Sequence, residues 1–196
     1  MPFRNLMMGQ LHASARPCLI STVLGSCVAV CLWDVNARMG GMNHFMLPQW
    51  DGRGLPSPRF GNIAIPALLR AVLEVGARRS TLVAKVFGGG NVLGQGEMPA
   101  VLNVGHRNAD YALAALEQEG IPVVAHRLRP THGLKISFDT RSGDVLLRPL
   151  KRVATVNFRS SASIPNPGAS HAGRIGRDRA LEGPRVLLEP ASLRTP

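Results

Sequence analysis

The sequence has no long apolar run and few cysteines. No window approaches the roughly 18 to 20 uncharged apolar residues that a membrane span needs. The first 17 residues also lack an apolar stretch of signal-peptide length. Three cysteines in 196 residues are too few, and odd in number, for a disulfide framework. We therefore expect a cytoplasmic protein with no membrane insertion.

Aromatic and acidic residues are also scarce. Aromatic side chains make up 5% of the chain, so aliphatic residues must build the core. Residues 1–150 carry fifteen basic and nine acidic residues, a net +6, while residues 151–196 carry eight and three, a net +5. Because the second segment is biased towards Ser, Pro, Gly and Arg, we predict a single domain over 1–150 and a basic, disordered extension over 151–196.

The positive charge raises the possibility of a nucleic-acid-binding protein. The usual nucleic-acid motifs are absent, and only one tyrosine and two tryptophans supply stacking side chains besides phenylalanine. We therefore expect no nucleic-acid partner, and interpret the basic extension as a solvated segment.

β-Branched and apolar stretches alternate with turns that contain Gly, Pro, Asn or Asp, so predicted strands outnumber predicted helices. The predicted strands are 18–24, 28–34, 39–48, 80–87, 121–128, 134–139 and 144–150. Amphipathic periodicity predicts helices over 63–79 and 108–120, and a glycine-rich loop occupies 88–100. The pattern indicates an α+β fold.

Cys27 and His44 carry the main chemical inference. If residues 34–37 connect the hairpin, paired positions sum to 71 and Cys27 lies directly opposite His44. Opposed residues share a face, with Cβ atoms about 4.5 to 5.5 Å apart. An imidazole at that distance can activate a thiol whose pKa is ordinarily about 8.5. For Cys27 alone, the competing interpretation is a small buried hydrophobic residue.

The turn that precedes Cys27 offers a second chemical feature. Backbone N–H groups of Gly25, Ser26 and Cys27 follow a predicted strand and are candidate donors to an oxyanion. A thiol, an imidazole and such donors together suit acyl transfer on an amide or ester.

The remaining candidates favour structural roles. Along a strand, Cys31 is about 13 Å from Cys27, too far for a shared metal ion or a disulfide, so we expect it to pack in the core with Cys18. The remaining histidines singled out, His106, His126 and His132, lack metal-ligand spacing. The glycine-rich loop lacks the ending of a phosphate-binding loop. We therefore predict no cofactor and no metal, and expect the glycines to let backbone pass close to the site or a partner.

Four stretches resemble the CheD family, the chemoreceptor glutamine deamidases of bacterial chemotaxis. The stretches are LGSCVAVCLWD, GGMNHFMLP, FGNIAIPALLRAVLEVGARRSTLVAKVFGGGNVL and NVGHRN with the helix that follows it. The resemblance covers about residues 5 to 150. Cys27 and His44 fall on the family's nucleophile and catalytic histidine, and Ser21 falls where the family usually has a threonine, six positions before the cysteine.

The resemblance implies a fold, an activity and partners. The fold would be two packed β-sheets flanked by helices. The activity would convert glutamines in the cytoplasmic domains of chemoreceptors to glutamates, with release of ammonia, and could extend to glutamate methyl esters. Ser21 would orient His44. Some members of the family also bind a CheC phosphatase.

The chain departs from the family pattern in RPTHGLK, residues 129–135. The resemblance implies a Gly-Gly pair followed by Gly-Arg-Lys in this segment. This departure bears on substrate docking or a partner surface rather than on the Cys27 and His44 pair. The main alternative function is therefore a chemotaxis module of the same fold that regulates a partner without turnover.

Overall fold

A computed structural model describes residues 1–91 and 103–150. Nine strands form two sheets in these residues. The strands are β1 (Phe3–Asn5), β2 (Leu11–Ser14), β3 (Leu19–Leu24), β4 (Val28–Asp34), β5 (Met39–Asn43), β6 (Leu82–Gly88), β7 (Val123–Leu128), β8 (Leu134–Asp139) and β9 (Val145–Pro149). The four-stranded sheet has the order β1-β3-β8-β9 and the five-stranded sheet has the order β2-β5-β4-β6-β7.

The helices cover one face of the five-stranded sheet. In the described residues they are α1 (Gly61–Glu74) and α2 (Val104–Gln118), with one 3-10 turn at Arg79–Thr81. A core of aliphatic residues from α1, α2, β4 and β6 fills the space between the helices and the sheet. The molecule therefore has the α+β architecture expected from the sequence, with helices against one of its two sheets.

A second core lies between the two sheets. It joins side chains of β3 and β8 in one sheet to side chains of β4, β5 and β6 in the other, among them Ile20, Cys31, Met42 and Phe138. Cys18 and Cys31 are both buried in this core, as the sequence predicts. Cys27 lies at the edge of the same layer, in the turn between β3 and β4.

Strands β1 and β2 were not predicted from the sequence. Each is only three or four residues long, too short to show an alternating pattern. The prediction of helix 108–120 also began too late, because Asn103 caps α2 by accepting a hydrogen bond from the N–H of His106 at 3.2 Å. The predicted glycine-rich loop lies within the described residues only as far as residue 91, and the predicted extension 151–196 lies outside them.

Candidate active site

The hairpin of β4 and β5 has a register two residues away from the predicted one. Val28 pairs with Phe45, so the position opposite Cys27 is Met46 rather than His44. The direct Cys27–His44 pair was therefore wrong. Because side chains in a strand alternate with a period of two, a shift of two keeps both residues on one face. They become diagonal neighbours, a relationship that typically separates Cα atoms by about 7 to 8 Å.

The register is set at the far end of the hairpin by Asp34. This residue still pairs with Met39 as the last residue of β4, so the connection is residues 35–38 and not 34–37. Its Oδ1 accepts hydrogen bonds from the N–H groups of Asn36 and Ala37, both at 2.9 Å. Burial alone would raise the pKa of Asp34, but these N–H groups and that of Arg78 lower it to about 2.

One cavity of about 380 Å³ contains both candidate reacting groups. Cys27 is half-buried at its wall, and His44 is 3% exposed. The other walls come from the N-terminal segment and from the end of β3 with its following turn: Asn5, Leu6, Met7, Met8, Thr22, Val23, Gly25 and Ser26. The structure therefore brings Cys27 and His44 to one site, together with an N-terminal segment to which sequence reasoning assigned no role.

Thr22 fixes the orientation and tautomer of the His44 ring. Its Oγ1 lies 2.8 Å from Nδ1 of His44 and donates to the carbonyl oxygen of Leu6, also at 2.8 Å. A hydroxyl has a single proton to donate, so Oγ1 accepts from Nδ1–H, an assignment that rests on the hydrogen-bond network. Nε2 then carries the free lone pair, and it is buried without a partner among residues 1–91 and 103–150. His44 is thus set up as a base at Nε2.

Ser21 does not reach His44, contrary to the role expected for it. Its Oγ donates to the carbonyl oxygen of Ile136 at 2.7 Å and accepts from Oγ of Ser137 at 3.2 Å. Successive side chains of β3 point to opposite faces, so Ser21 and Thr22 cannot both reach the histidine. The hydroxyl that contacts His44 belongs to Thr22, and Ser21 ties β3 to β8.

Burial keeps both reacting groups neutral at physiological pH. It lowers the pKa of His44 to about 4, although the nearby carbonyl oxygen of Leu6 opposes this shift. Burial also raises the pKa of the Cys27 thiol, while the residue's own backbone N–H acts in the opposite direction. The resting cavity therefore holds a thiol and a neutral imidazole rather than a preformed thiolate and imidazolium.

The cysteine turn, residues 25–27, has all of its carbonyl groups bonded to the rest of the domain. Gly25 O accepts from the N–H of Gly90 at 2.8 Å, and Cys27 O accepts from the N–H of Gly89 at 2.8 Å. Ser26 O accepts from Nδ2 of Asn108 at 3.0 Å. The N–H groups of the same turn have no acceptor among the residues that the structure describes. The turn is held by its carbonyls, and its donors remain available for a ligand.

Gly88 shows why this part of the glycine-rich loop contains glycine. Its φ is +105°, and a Cβ built there would lie 2.2 Å from the carbonyl oxygen of Cys27. Any side chain would displace the cysteine turn or leave the left-handed region that glycine favours. The expectation that backbone passes close to the site is confirmed at this residue.

Asn108 is a further site residue, present in the quoted motif NVGHRN but given no role there. It is fully buried on α2, and its Nδ2 donates both to Ser26 O at 3.0 Å and to Met46 O at 2.7 Å. One side chain therefore joins the cysteine turn to the segment that follows His44. A buried asparagine on the apolar face of a predicted helix is the sequence signal that could have indicated this role.

The altered segment 129–135 adjoins the glycine loop. Arg129 has a φ of +54°, and its N–H donates to Gly88 O at 2.9 Å. Its guanidinium pairs with Asp110 on α2. The left-handed conformation is one that glycine adopts most readily, while the ion pair joins Arg129 to α2 in this chain.

No metal centre and no membrane-spanning helix are found in the described residues. Within 1–91 and 103–150, no three His, Cys, Asp or Glu side chains are grouped so as to hold a metal ion. None of the helices there has the length and apolar character needed to cross a bilayer. His106, His126 and His132 remain apart from the Cys27 cavity.

Comparison with known proteins identifies the family. Residues 46–149 match the family model described as CheD chemotactic sensory transduction. A protein of Trichlorobacter lovleyi named "Probable chemoreceptor glutamine deamidase CheD" is 51% identical over 142 residues, which are 72% of this chain and 87% of that protein. Proteins of the same name from Sulfurimonas denitrificans and Thiobacillus denitrificans are 44% and 47% identical, over 73% and 76% of this chain and 91% and 74% of their own. The chain therefore belongs to the CheD family.

Proposed function

We propose that the protein is a cysteine-dependent deamidase that converts glutamine side chains of methyl-accepting chemoreceptors to glutamate. The observation that carries this proposal is the buried Nε2 of His44, which has no partner among the described residues and belongs to a residue that lines the same cavity as Cys27. The names of the relatives support the substrate, since they are chemoreceptor glutamine deamidases. The enzyme is then a protein-glutamine glutaminase of bacterial chemotaxis.

The first half of the reaction forms a thioester. Nε2 of His44 removes the thiol proton as Sγ of Cys27 attacks the carboxamide carbon of the glutamine. The carbonyl oxygen becomes an oxyanion, which the N–H groups of Gly25, Ser26 or Cys27 stabilise. His44 then returns the proton to the amide nitrogen, the C–N bond breaks and ammonia leaves.

Hydrolysis completes the cycle. Nε2 of His44 takes a proton from a water molecule as its oxygen attacks the thioester carbon. The C–S bond then breaks and His44 returns the proton to Sγ of Cys27, which leaves glutamate on the receptor. Thr22 orients the ring throughout by accepting from Nδ1–H, the third-group role of a triad.

The neutral resting pair shapes this mechanism. Because the pKa of Cys27 is raised and that of His44 is lowered to about 4, proton transfer accompanies attack instead of preceding it. The thiol is therefore weakly reactive until a carboxamide is positioned in the cavity. This property suits an enzyme whose targets are particular side chains of a folded partner.

The setting and partners follow from the same proposal. The enzyme acts in the cytoplasm on the cytoplasmic domains of chemoreceptors. Hydrolysis of glutamate methyl esters and binding of a CheC-like phosphatase stay predictions from the family resemblance.

Ammonia release from a purified receptor cytoplasmic fragment tests the function. We expect the wild-type protein to release ammonia and Cys27→Ala to release none, while Cys31→Ala, which alters a free cysteine buried in the core, retains activity. Equal release by wild type and Cys27→Ala would refute the nucleophile. Binding of the fragment without any ammonia release from the wild type would favour the alternative of a non-catalytic module.

A further inference from the structure

The mouth of the Cys27 cavity is apolar and exposed. Met7, Met8 and Val23 are 60%, 51% and 51% exposed, and all three line the cavity that contains Cys27 and His44. Large apolar side chains are costly to leave in water, and a cluster of them beside polar reacting groups marks an interaction surface. We call these three residues the apolar rim.

The turn that carries Met7 and Met8 is hydrogen-bonded to the backbone of His44. Met7 and Met8 lie in the turn between β1 and β2, where the N–H of Gly9 donates to His44 O at 2.7 Å. Gln10 closes the turn, since its N–H donates to Met7 O at 3.1 Å and its Oε1 accepts from Met7 N–H at 2.9 Å. The methionines therefore keep a constant position relative to His44, while their unbranched side chains can adapt to different surfaces.

The apolar rim carries no negative charge of its own. None of the described residues that line the cavity is acidic. Arg59 lies alongside the turn, because its Cγ is 2.7 Å from where a Cβ on Gly9 would be. This arginine is exposed and forms no ion pair with a carboxylate of the described residues. A partner with carboxylates at this position would complement it.

We propose that the apolar rim is the docking surface for the substrate protein. It takes a receptor segment in which apolar side chains flank the target glutamine and a carboxylate lies towards Arg59. This inference rests on the proposed function, which brings a receptor carboxamide into the cavity that Cys27 shares with the apolar rim. Adaptable methionines there allow one enzyme to accept several glutamines in different sequence contexts.

Docking is measured without turnover in the Cys27→Ala background. Titration calorimetry with the receptor fragment compares that protein with the same protein carrying Met7→Ser and Met8→Ser. We expect the rim variant to bind about tenfold more weakly or worse, because its side chains no longer bury apolar surface. The matched control is Leu146→Ser on β9, a side chain that is 67% exposed at the far edge of the four-stranded sheet. The Leu146→Ser control should bind the receptor fragment with the same affinity as the Cys27→Ala protein.

Steady-state kinetics give a second readout in the Cys27 protein. We expect Met7→Ser with Met8→Ser to raise KM for the fragment, with the loss in kcat/KM arising from KM rather than kcat. Arg59→Glu should also raise KM at low ionic strength, and this effect should shrink as salt is added. Arg148→Glu on β9 is its matched control, an exposed arginine outside the cavity.

The outcomes separate docking from catalysis. Binding and KM that are unchanged by the rim substitutions would overturn the docking surface, whatever the activity. A loss confined to kcat, with binding unchanged, would also overturn it. Weaker binding of the rim variant, even if the wild type released no ammonia, would support the docking surface while refuting the proposed reaction.

Discussion

Oγ1 of Thr22 lies 2.8 Å from Nδ1 of His44, and the same hydroxyl donates its proton to the carbonyl oxygen of Leu6. This relationship decides which nitrogen of the ring is free. Since Thr22 must accept from Nδ1–H, the lone pair of His44 is at Nε2. The base of the site thus depends on a threonine and on an N-terminal carbonyl that ties residues 5–8 to the cavity.

Thr22→Val removes the acceptor while keeping the shape of the side chain. The buried Nδ1–H of His44 would lose its hydroxyl partner, at a cost of about 1 to 3 kcal/mol. We expect kcat to fall about tenfold to hundredfold and Thr22→Ser to restore most of it. Ser21→Ala is the matched control, because its hydroxyl bonds to Ile136 O. Ammonia-release kinetics that showed a larger loss for Ser21→Ala than for Thr22→Val would contradict the assignment.

Asn108→Asp tests whether donation from the side-chain amide holds the two halves of the site together. A carboxylate cannot donate to Ser26 O or Met46 O, so the two buried carbonyls would lose their bonds and a charge would be buried. We expect a loss of at least about 2 kcal/mol in the free energy of unfolding, measured by urea denaturation, and a lower kcat. Gln118→Glu, the same change at an exposed position of α2, should leave both nearly unchanged. A tolerated Asn108→Asp would show that the amide is not required.

Gly88→Ala should be far more damaging than Gly120→Ala. Both glycines have a positive φ, +105° and +65°, but nothing lies within 4 Å of a Cβ at Gly120, whereas Cys27 O lies 2.2 Å from one at Gly88. We expect about 1 kcal/mol of destabilisation at Gly120 from backbone strain alone. At Gly88 the clash should displace the cysteine turn and lower both stability and ammonia release. Equal effects at the two positions would show that the contact with Cys27 is unimportant.

The depressed pKa of His44 predicts a loss of stability in mild acid. The folded-state pKa is about 4 and that of an exposed histidine is 6.5, so the unfolded chain binds more protons between these limits. The stability associated with a neutral His44 is fully present above pH 6.5 and is lost as pH falls towards 4, by up to about 3 kcal/mol.

Comparing wild type with His44→Gln isolates this effect, since Asp34 and the other groups titrate in both proteins. Chemical denaturation at pH 7 and at pH 4.5 should show a larger loss of stability for the wild type. Parallel losses in the two proteins would mean that His44 is not buried in its neutral form.

The longer strands and the reacting residues could be predicted from the sequence because they depend on local patterns. The β-branched runs of β3 and β4, the polar connection and the stretch that contains His44 were enough to place Cys27 and His44 on one face of a hairpin. The register of the hairpin could not be predicted, because Asp34 is both the last strand residue and the acceptor that closes the turn. A placement one residue too early shifted every pair by two, and the two residues stayed together only because two is the period of a strand.

The parts that the sequence did not reveal depend on contacts between distant segments. Ser21 and Thr22 are adjacent hydroxyl residues, and only the packing of β3 on the rest of the fold shows which one faces His44. Asn108 acts on groups 82 and 62 residues away. Likewise, Met7 and Met8 become part of the cavity because short β1 lies beside β3, a pairing with no sequence pattern.

Mass spectrometry of a co-expressed chemoreceptor is the most direct test of the central claim that Cys27 attacks receptor glutamines. Specific glutamines should acquire the mass of glutamate with the wild-type protein and with Cys31→Ala, and should remain amides with Cys27→Ala. Conversion of the same glutamines by Cys27→Ala would contradict the account.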